Sequence, residues 1–323
     1  MVDDLGGLQD FVEVAHTNDD FLACVLDGLA QPQKRIPSKF FYDERGSQIF
    51  DQICDLPEYY PTRTETGLLR DRAGDIADRI GPHATLVEFG AGSTQKVGFL
   101  LDALEAPAAY VPVDISGEHL FASAKALAAK YPDLTVIPVC ADYTRPFALP
   151  ATAGEGARTG FFPGSTIGNF TRDLAAAFLR TVAGDLGAGS GLLIGVDLRK
   201  DAAILHAAYN DEAGVTAAFN LNLLTRINRE LGADFDVEGF AHDARWLDGP
   251  GRIEMHLVSR GAQTVHVDGR EFRFAAGESI HTEDSHKYTI DGFQTLAATA
   301  GWTAEAVWTD DAQLFSIHFL RAG

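Results

Sequence analysis

An α/β fold built on a parallel β-sheet is the fold class that the sequence predicts, and two observations support it. Between about residues 62 and 200, apolar runs with strand composition alternate with segments of helical periodicity, an order typical of a parallel sheet. The first of these runs, residues 84–89, is apolar enough for a strand buried on both faces, and it ends at Gly90 and Gly92. Because glycines at such a point let a ligand approach the backbone, we expect the ligand site at this edge of the sheet.

Acidic residues follow the next two apolar runs at positions that suit a nucleoside. The run at residues 110–113 ends in Asp114, about 20 residues after the glycines, where a Rossmann-type fold places the acid that binds ribose hydroxyls. The run at residues 134–140 is followed by Asp142 and Tyr143. This acidic and aromatic pair suits the edge and the face of an adenine ring.

The glycine-rich turn differs from the dinucleotide-binding fingerprint. Ser93 and Thr94 follow Gly92, so the third glycine of that fingerprint is missing. Together with Glu88 on the first strand and the acids after the second and third, the pattern looks like a class I S-adenosylmethionine-dependent methyltransferase with its Rossmann-like sheet. An ordinary α/β crossover that carries incidental acids is the alternative.

The later strands of this sheet follow from similar patterns. Residues 158–163 and 191–197 have strand composition, and an amphipathic helix over residues 171–186 separates them. Residues 303–309 and 314–320 can complete the sheet as the antiparallel strand pair typical of class I methyltransferases.

A second type of pattern occupies the rest of the chain. Before residue 35 an apolar stripe predicts a packing helix, and helical stretches return at residues 206–211 and 215–231. Three antiparallel strands are expected after them, at residues 252–259, 263–267 and 271–274, the last two joined by the hairpin signal Asp268-Gly269.

The two patterns predict two domains, which a chain of 323 residues is long enough to form. Residues 61–200 and 288–323 are expected to form the methyltransferase sheet. Residues 1–60 and 201–287 are expected to form a second, smaller α+β domain that binds the substrate.

Charge restricts the partners. The formal net charge of −20 repels phosphate backbones and anionic lipid surfaces. No apolar stretch reaches the roughly 18 to 20 residues that span a bilayer. We therefore expect a small-molecule substrate, with no nucleic acid or membrane partner, and we take a monomer as the expected state.

Cysteine and histidine usage bears on location and metal binding. Cys24, Cys54 and Cys140 are odd in number and far apart, which favours reduced thiols in a cytoplasmic protein over a disulfide framework. The acidic residues 1–4 do not begin a signal peptide pattern. No histidine pair has the His-x-x-x-His spacing and no cysteine pair has the Cys-x-x-Cys spacing, so no metal is predicted.

Five stretches of irregular composition carry a more specific resemblance. The chain resembles the histidine-specific N-α-methyltransferases of ergothioneine biosynthesis, which convert L-histidine to hercynine. The resemblance covers nearly the whole chain and is carried by the stretches at residues 41–43, 56–65, 164–169, 209–220 and 282–285.

The resemblance implies a set of cofactor-binding residues. The cofactor would be S-adenosyl-L-methionine. The positions that match those of the family are Gly90, Lys96, Asp114, Asp142 and Tyr143.

The resemblance also implies a set of residues that bind L-histidine. The matching positions are Tyr59, Gly164, Asn169, Tyr209, Met255, Glu283 and Ser285. Asn169 and Tyr209 would contact the substrate carboxylate, and Glu283 and Ser285 would hydrogen-bond to the imidazole ring. Met255 would line an apolar pocket.

The implied chemistry needs positioning more than a reactive side chain. Methyl transfer from a sulfonium to an amine is an in-line displacement, so the protein must place a neutral amine near the methyl group and exclude water. We predict no nucleophilic or general-base residue and no metal. Aromatic faces such as that of Tyr42 could hold the growing cation.

Two other functions remain open from the sequence. A methyltransferase of the same family could act on another aromatic amine, such as a tryptophan derivative. The carboxylate of Glu283, together with a ring pocket whose size is set by Met255, favours imidazole over indole. A non-catalytic S-adenosylmethionine-binding regulator is the other possibility, and the intact set of substrate residues argues against it. Without the family resemblance, Glu283 would be interpreted as a solvated acid on a hairpin loop.

Overall fold

Two compact units make up the chain in the computed structural model, which describes residues 8, 12–13, 19–92, 94–150 and 156–323. Unit 1 comprises the described part of Met1–His16 together with Thr64–Leu198 and Tyr288–Gly323, and unit 2 comprises the described part of Thr17–Arg63 together with Arg199–Lys287. Ser93 of the glycine-rich turn and the acidic residues 1–4 lie outside the described residues.

Helices and strands alternate through much of the described chain. The α-helices are α1 (Asp19–Leu29), α2 (Glu44–Cys54), α3 (Tyr60–Ile80), α4 (Thr94–Ala103), α5 (Gly117–Lys130), α6 (Arg172–Leu186), α7 (Ala202–Tyr209), α8 (Val215–Leu231) and α9 (Ile290–Ala298). The β-strands are β1 (Val12–Glu13), β2 (Thr85–Phe89), β3 (Ala109–Asp114), β4 (Thr135–Val136), β5 (Val139–Cys140), β6 (Arg158–Phe162), β7 (Gly191–Asp197), β8 (Phe240–Leu247), β9 (Arg252–Ser259), β10 (Gln263–Val267), β11 (Arg270–Phe274), β12 (Ser279–His286), β13 (Trp302–Thr309) and β14 (Phe315–Ala322).

The predicted α/β sheet of unit 1 is confirmed. Its strand order is β1-β5-β3-β2-β6-β7-β14-β13, with β4 also paired to β3. Neighbours from β1 to β7 are parallel, whereas β14 is antiparallel to both β7 and β13. The two strands predicted at the end of the chain therefore close the sheet as an antiparallel pair.

The central strands are buried because both faces of the sheet are covered. All five residues of β2 are buried. Val87 and Phe89 belong to one apolar cluster, which includes residues of α6 and α9, while Leu86 belongs to another, which includes residues of α3, α4 and α5. This alternation explains why the strand has a continuous apolar sequence instead of one polar face.

Two sequence predictions for unit 1 need correction. The run at residues 134–140 forms two short strands, β4 and β5, because Pro138 has no N–H for a continuous ladder. Val12–Glu13 pairs with β5 inside the large sheet, and the N–H of Val12 also donates to the carbonyl of Pro138 at 3.2 Å. The prediction that residues 1–60 belong entirely to the second domain is therefore wrong for this strand, since a two-residue pairing across the chain leaves no periodic pattern.

Unit 2 contains a three-stranded antiparallel sheet of order β12-β9-β8 and a separate hairpin of β10 and β11. The hairpin turn is formed by Asp268 and Gly269, both with positive φ (46° and 72°), as the Asp-Gly pair predicts. Strand β8 was not predicted, and β12 occupies a segment that the sequence alone suggests is a loop. Helix α8 packs against α2 and against the sheet.

Among the described residues, no helix combines the length and apolarity that crossing a bilayer requires.

Asp211 fixes the start of helix α8. Its carboxylate accepts hydrogen bonds from the N–H groups of Val215 at 2.7 Å and Thr216 at 2.8 Å, and its side chain is buried. Burial alone would raise the pKa of Asp211, but the hydrogen bonds from Thr216 and Val215 outweigh it and lower the pKa. The carboxylate is therefore an anion at a helix N-terminus, where negative charge is favoured.

We expect Asp211→Ala to lower the free energy of unfolding by about 1 to 3 kcal/mol, the cost of losing hydrogen bonds to a charged group. Urea denaturation followed by circular dichroism measures this, with the exposed Asp248→Ala as the control that should change little. Because the folded-state pKa is depressed, the stabilisation is present above the unfolded-state value of about 4 and is lost as the pH falls below it. A difference between wild type and Asp211→Asn that persisted undiminished at low pH would contradict this assignment.

Candidate functional site

Three predicted cofactor residues and the predicted substrate residue Gly164 lie at the carboxyl ends of four adjacent parallel strands of unit 1. Gly90 follows β2, Asp114 ends β3, Asp142 follows β5, and Gly164 follows β6. Because β5, β3, β2 and β6 are parallel neighbours, their carboxyl ends lie at one edge of the sheet, where open α/β sheets bind ligands.

Gly90 lies next to the Tyr143 ring. Its φ is +80°, and its N–H donates to the carbonyl of Val113 at 2.8 Å. A Cβ at this position would lie 3.6 Å from the Tyr143 hydroxyl oxygen. The Tyr143 ring packs edge-on against Phe162 and Phe178, with centroids 5.8 and 6.0 Å away. Glycine thus supplies the positive φ and leaves backbone exposed beside a fixed aromatic side chain.

Short hydrogen bonds to following residues hold the two carboxylates at this edge. Asp114 Oδ1 accepts from the N–H of Ser116 at 2.9 Å, and Asp142 Oδ1 accepts from the N–H of Thr144 at 3.0 Å and from its hydroxyl at 2.5 Å. Burial raises the pKa of Asp114, against the lowering effect of the Ser116 backbone hydrogen bond. Both side chains are thereby oriented before any ligand binds.

Glu65 connects two of the predicted site residues. Its carboxylate pairs with Lys96 Nζ at 2.6 Å and accepts from the N–H of Gly164 at 2.8 and 2.9 Å. The side chain of Glu65 is 1% exposed, and a Cβ on Gly195 would lie only 2.0 Å from its Oε1. Glu65 ends the stretch at residues 56–65 that carries the family resemblance, but it was not predicted as a site residue.

Asn169 is held in the loop after β6. It ends a 3₁₀ turn, Thr166–Asn169, and its side chain is half-buried. Ser165 precedes the turn in the left-handed region with φ of 55°, and its hydroxyl accepts from the N–H of Asp197 at 2.9 Å. The loop that carries both Gly164 and Asn169 is therefore tied to the end of β7.

Glu88, on β2, is a buried acid in the same unit. Burial raises its pKa to about 8, although a hydrogen bond from the Tyr110 hydroxyl and the charge of Lys96 act in the opposite direction. The carboxyl group is therefore largely protonated near neutral pH.

Five of the predicted substrate residues come together in unit 2. The hydroxyls of Tyr209 and Ser285 lie 2.7 Å apart, and the rings of Tyr59 and Tyr209 meet edge-on with centroids 6.3 Å apart. Met255 and Glu283 are directly paired across β9 and β12. Burial, followed by charge interactions with Tyr209, Cys54, Tyr42 and Glu283, raises the pKa of Tyr59.

A β-bulge at Thr282 determines the direction of the Glu283 side chain. His281 pairs with His256, but Glu283 pairs with Met255, so two steps along β12 match a single step along β9. Residues two apart in a regular strand share a face, and the extra residue reverses this for His281 and Glu283. Glu283 and Ser285 consequently share the face of Met255.

The buried Thr282 side chain stabilises the bulge. Its hydroxyl contacts Asn220 Oδ1 at 2.8 Å and the carbonyl of Met255 at 3.1 Å. The amide of Asn220 in turn donates to the carbonyl of His256 at 3.1 Å. Helix α8 therefore anchors the irregularity from one side.

Glu283 has an unusual electrostatic environment. Burial raises its pKa to about 7, while the charge of Lys287 lowers it, Asp284 raises it and His281 lowers it. Lys287 is 1% exposed and was not predicted as a site residue. A lysine in an acidic and polar stretch has the sequence signature of a solvated residue, which is why the sequence analysis missed it.

The other face of the same strands carries a cluster of potential metal ligands. Glu254, His256 and His281 each offer an atom within 4.8 Å of the others. The guanidinium of Arg252 already bonds to Glu254 and pairs with Asp284 at 2.9 Å. Because Glu254 already pairs with this guanidinium, we propose no metal here, and the absence of a metal stays a prediction.

The predicted substrate residues are thus divided between the units. Gly164 and Asn169 belong to unit 1 with the cofactor candidates, whereas the remaining five belong to unit 2. Tyr42, the aromatic residue considered for cation binding, is also in unit 2, with its ring edge-on to Phe50 and Phe219.

Comparison with known proteins identifies the family. The sequence profile of a family described as "Histidine-specific methyltransferase, SAM-dependent" matches residues 21–322. The chain belongs to this family. The resemblance deduced from the sequence is confirmed, and so is S-adenosylmethionine as the cofactor.

Individual relatives differ in their similarity to the chain. Two proteins named histidine N-alpha-methyltransferase are 44% and 43% identical to the chain, from Mycolicibacterium smegmatis and Mycobacterium tuberculosis respectively. Each alignment covers 298 residues, 91% of this chain and 92% of the relative. A protein of Claviceps purpurea named 4-dimethylallyltryptophan N-methyltransferase is 26% identical, over 95% of this chain and 96% of its own length.

The residues at the strand edge of unit 1 fit the cofactor of this family. The backbone at Gly90 is unobstructed by a side chain, a carboxylate ends β3, and an aromatic ring lies beside them. Carboxylate oxygens accept hydrogen bonds from a ribose diol, and an aromatic side chain offers a face to adenine. This set of groups suits the nucleoside part of S-adenosylmethionine.

We expect Asp114→Ala to weaken S-adenosylmethionine binding by about 1.5 to 3 kcal/mol, the range for a hydrogen bond to a charged group. Isothermal titration calorimetry on the full chain measures this. Asp133→Ala, which removes an exposed carboxylate from the same unit, should leave the affinity unchanged. Unchanged affinity in a folded Asp114→Ala variant would remove Asp114 from the site.

Proposed function

We propose that the protein methylates the α-amine of L-histidine three times, with S-adenosylmethionine as donor, to give hercynine in ergothioneine biosynthesis. The observation that carries the proposal is the carboxylate of Glu283, which the bulge places beside Met255 and on the face of Ser285. The high identity to histidine N-alpha-methyltransferases over nearly the whole chain supports it.

Cofactor binding is assigned to five residues. Asp114 accepts hydrogen bonds from the ribose, and Asp142 with Tyr143 binds the adenine. Gly90 admits the cofactor against the backbone, and Lys96, held by Glu65, completes the set. When bound, S-adenosylmethionine supplies the methyl group.

Substrate binding is assigned by chemistry. Glu283 accepts an imidazole N–H, and Ser285 provides a second polar contact to the ring. Tyr209 and Asn169 bind the substrate carboxylate, Tyr59 and Gly164 border the amino acid, and Met255 forms the apolar wall of the ring pocket.

The protein's contribution to the reaction is positioning. The protein holds the carboxylate and the imidazole ring of the substrate, which keeps the α-amine near the methyl donor. The amine itself is not held, so it can rotate between successive methyl transfers. Because its pKa is raised, the Tyr59 hydroxyl stays protonated near neutral pH and is not a tyrosinate base. The proton of the α-ammonium leaves to water, and the aromatic face of Tyr42 stabilises the quaternary product.

A methyltransferase acting on another aromatic amine, such as a tryptophan derivative, is the alternative. It is favoured by one observation, the relative of Claviceps purpurea whose name specifies a tryptophan derivative. A carboxylate beside Met255 favours imidazole, because a site built around a hydrogen bond discriminates strongly against substrates that cannot make it.

A cytoplasmic location and a monomeric state complete the proposal. The location follows from the odd number and wide spacing of the cysteines. Size-exclusion chromatography with light scattering tests the oligomeric state.

We expect mass spectrometry with excess S-adenosylmethionine and each proteinogenic amino acid to give one strong product, trimethylated histidine. Since both ends of the substrate are held, monomethyl and dimethyl histidine should decline as the reaction proceeds. Monomethyl histidine as the end product would contradict the proposed binding frame. Methylation of another amino acid in preference to histidine would overturn the function itself.

We expect Glu283→Ala to lower kcat/KM for histidine about 30- to 150-fold, corresponding to roughly 2 to 3 kcal/mol for a lost charged hydrogen bond. Activity toward tryptophan should hold steady or rise, because the change removes a charge and frees space. Ser285→Ala should act in the same direction but less, since a neutral hydrogen bond is weaker.

The matched control is Glu271→Ala, which truncates an exposed glutamate on β11 of the same unit. It should leave the histidine-to-tryptophan ratio at the wild-type value. An unchanged ratio in Glu283→Ala would refute the imidazole assignment even if histidine is the substrate.

A further inference from the structure

Lys287 is a fully buried lysine among the residues assigned to the substrate. It directly follows β12 and is 1% exposed, and its N–H donates to the carbonyl of Gly251 at 2.8 Å. Burying an ammonium group is costly unless its surroundings compensate the charge. A lysine retained in such a place therefore needs a physical reason.

The contacts of Lys287 lead to two residues of the proposed site. Its Nζ donates to Tyr209 Oη at 2.9 Å and to Ser285 Oγ at 2.8 Å, and those oxygens lie 2.7 Å from each other. Nζ also lies 4.9 Å from the centroid of the Tyr209 ring. An ammonium group has no lone pair, so both hydroxyl oxygens accept from Lys287.

Accepting from the same ammonium restricts how the two hydroxyls can turn. Each oxygen directs one lone pair toward Lys287, which limits the directions left for its O–H. The side chains of Glu283, Ser285 and Lys287 alternate along the chain at a spacing of two, which puts them on one side of an extended segment. The ammonium is therefore on the side of the strand that carries Glu283.

We propose that Lys287 is a positioning residue for the substrate: its ammonium orients the hydroxyls of Tyr209 and Ser285 and supplies the positive charge that keeps Glu283 ionised for the imidazole N–H. This inference rests on the proposed function and names a residue that the family resemblance did not supply. Lys287 acts through these three side chains, so it is not assigned a catalytic role.

The charges around Glu283 agree with this role. Burial raises the pKa of Glu283 to about 7, and the charge of Lys287 is the largest effect in the opposite direction. Among the described residues, the other titratable groups with a charge interaction with Glu283 are Asp284 and His281, which lie on the opposite face of its own strand, and Tyr59 from the segment before α3. Removing the ammonium leaves Asp284, which disfavours ionisation, and His281, which favours it.

The test compares two variants of Lys287 that lose different properties of the ammonium group. Lys287→Met removes the charge and the donors, whereas Lys287→Gln removes the charge and keeps a donor. Lys130→Met makes the same substitution at an exposed lysine of unit 1 and is the control. Unchanged affinity for S-adenosylmethionine, measured by calorimetry, shows that each variant is folded.

The first measurement is the ionisation of Glu283 without substrate. Carbon NMR of the full chain labelled at the glutamate carboxyl carbons follows each titration, and the signal missing in Glu283→Gln assigns Glu283. We expect the Glu283 midpoint to move to higher pH in both Lys287 variants and to stay in place in Lys130→Met. A midpoint that does not move overturns the proposal, whatever the substrate is.

The second measurement is the pH profile of kcat/KM for histidine. At neutral pH we expect a loss of about 10- to 100-fold in Lys287→Met, with part of it recovered at higher pH as Glu283 ionises. In Lys287→Gln the acidic limb of the pH profile should shift by the same amount, with a smaller loss of kcat/KM at neutral pH. Titration of free histidine is common to all variants and cancels in the comparison.

The outcomes separate this inference from the function on which it rests. A uniform loss of activity with an unshifted acidic limb would mean a merely structural lysine and would overturn the proposal. Failure of the wild-type protein to methylate histidine would overturn the proposed function, and the NMR titration would still decide whether Lys287 controls the charge of Glu283.

Discussion

The extra residue at Thr282 is the constraint on which the ring-binding part of the proposed site depends. Without it, Glu283 would share the face of His281, where Arg252 already compensates the acids of the opposite side. The bulge turns the carboxylate toward Met255, and the contact between Thr282 and Asn220 anchors it to helix α8. A local irregularity in hydrogen bonding therefore determines which chemistry each face of a three-stranded sheet presents.

Buried acids perform different tasks in the two units because their neighbours differ. Glu65 has Lys96 and a backbone N–H as partners, which suits a structural anion that ties a helix to a loop. Glu88 has a tyrosine hydroxyl and a pKa of about 8, so it is largely neutral near pH 7. Glu283 has a pKa of about 7, so small changes in the surrounding charge alter its ionisation near neutral pH. Of these three acids, Glu283 is therefore the one whose hydrogen bonding to a substrate depends most on the charges around it.

The fold was predictable because its signals are local. Burial on both faces gives β2 a continuous apolar sequence, and a change of backbone direction requires Gly90 at its end. The bulge at Thr282 and strand β1 were not predictable, since both depend on pairing between distant segments. The positions of Glu283 and Ser285 came from resemblance alone, because an acid and a serine in a polar stretch look solvated. Lys287 and Glu65 escaped notice for the same reason: their burial is created by the tertiary structure.

Positioning by hydrogen bonds also explains how one scaffold can serve different aromatic amines. The reaction requires only that an amine be held near a methyl donor, so no reactive side chain restricts the substrate. In the proposed site, selectivity would then come from the ring-binding residues, and the apolar side chain of Met255 could contact either an indole or an imidazole ring. What an imidazole adds is a polar edge, which a carboxylate at Glu283 can recognise and an apolar residue cannot. Changes among the few residues that set the charge and direction of this carboxylate are therefore the shortest route from one substrate to another.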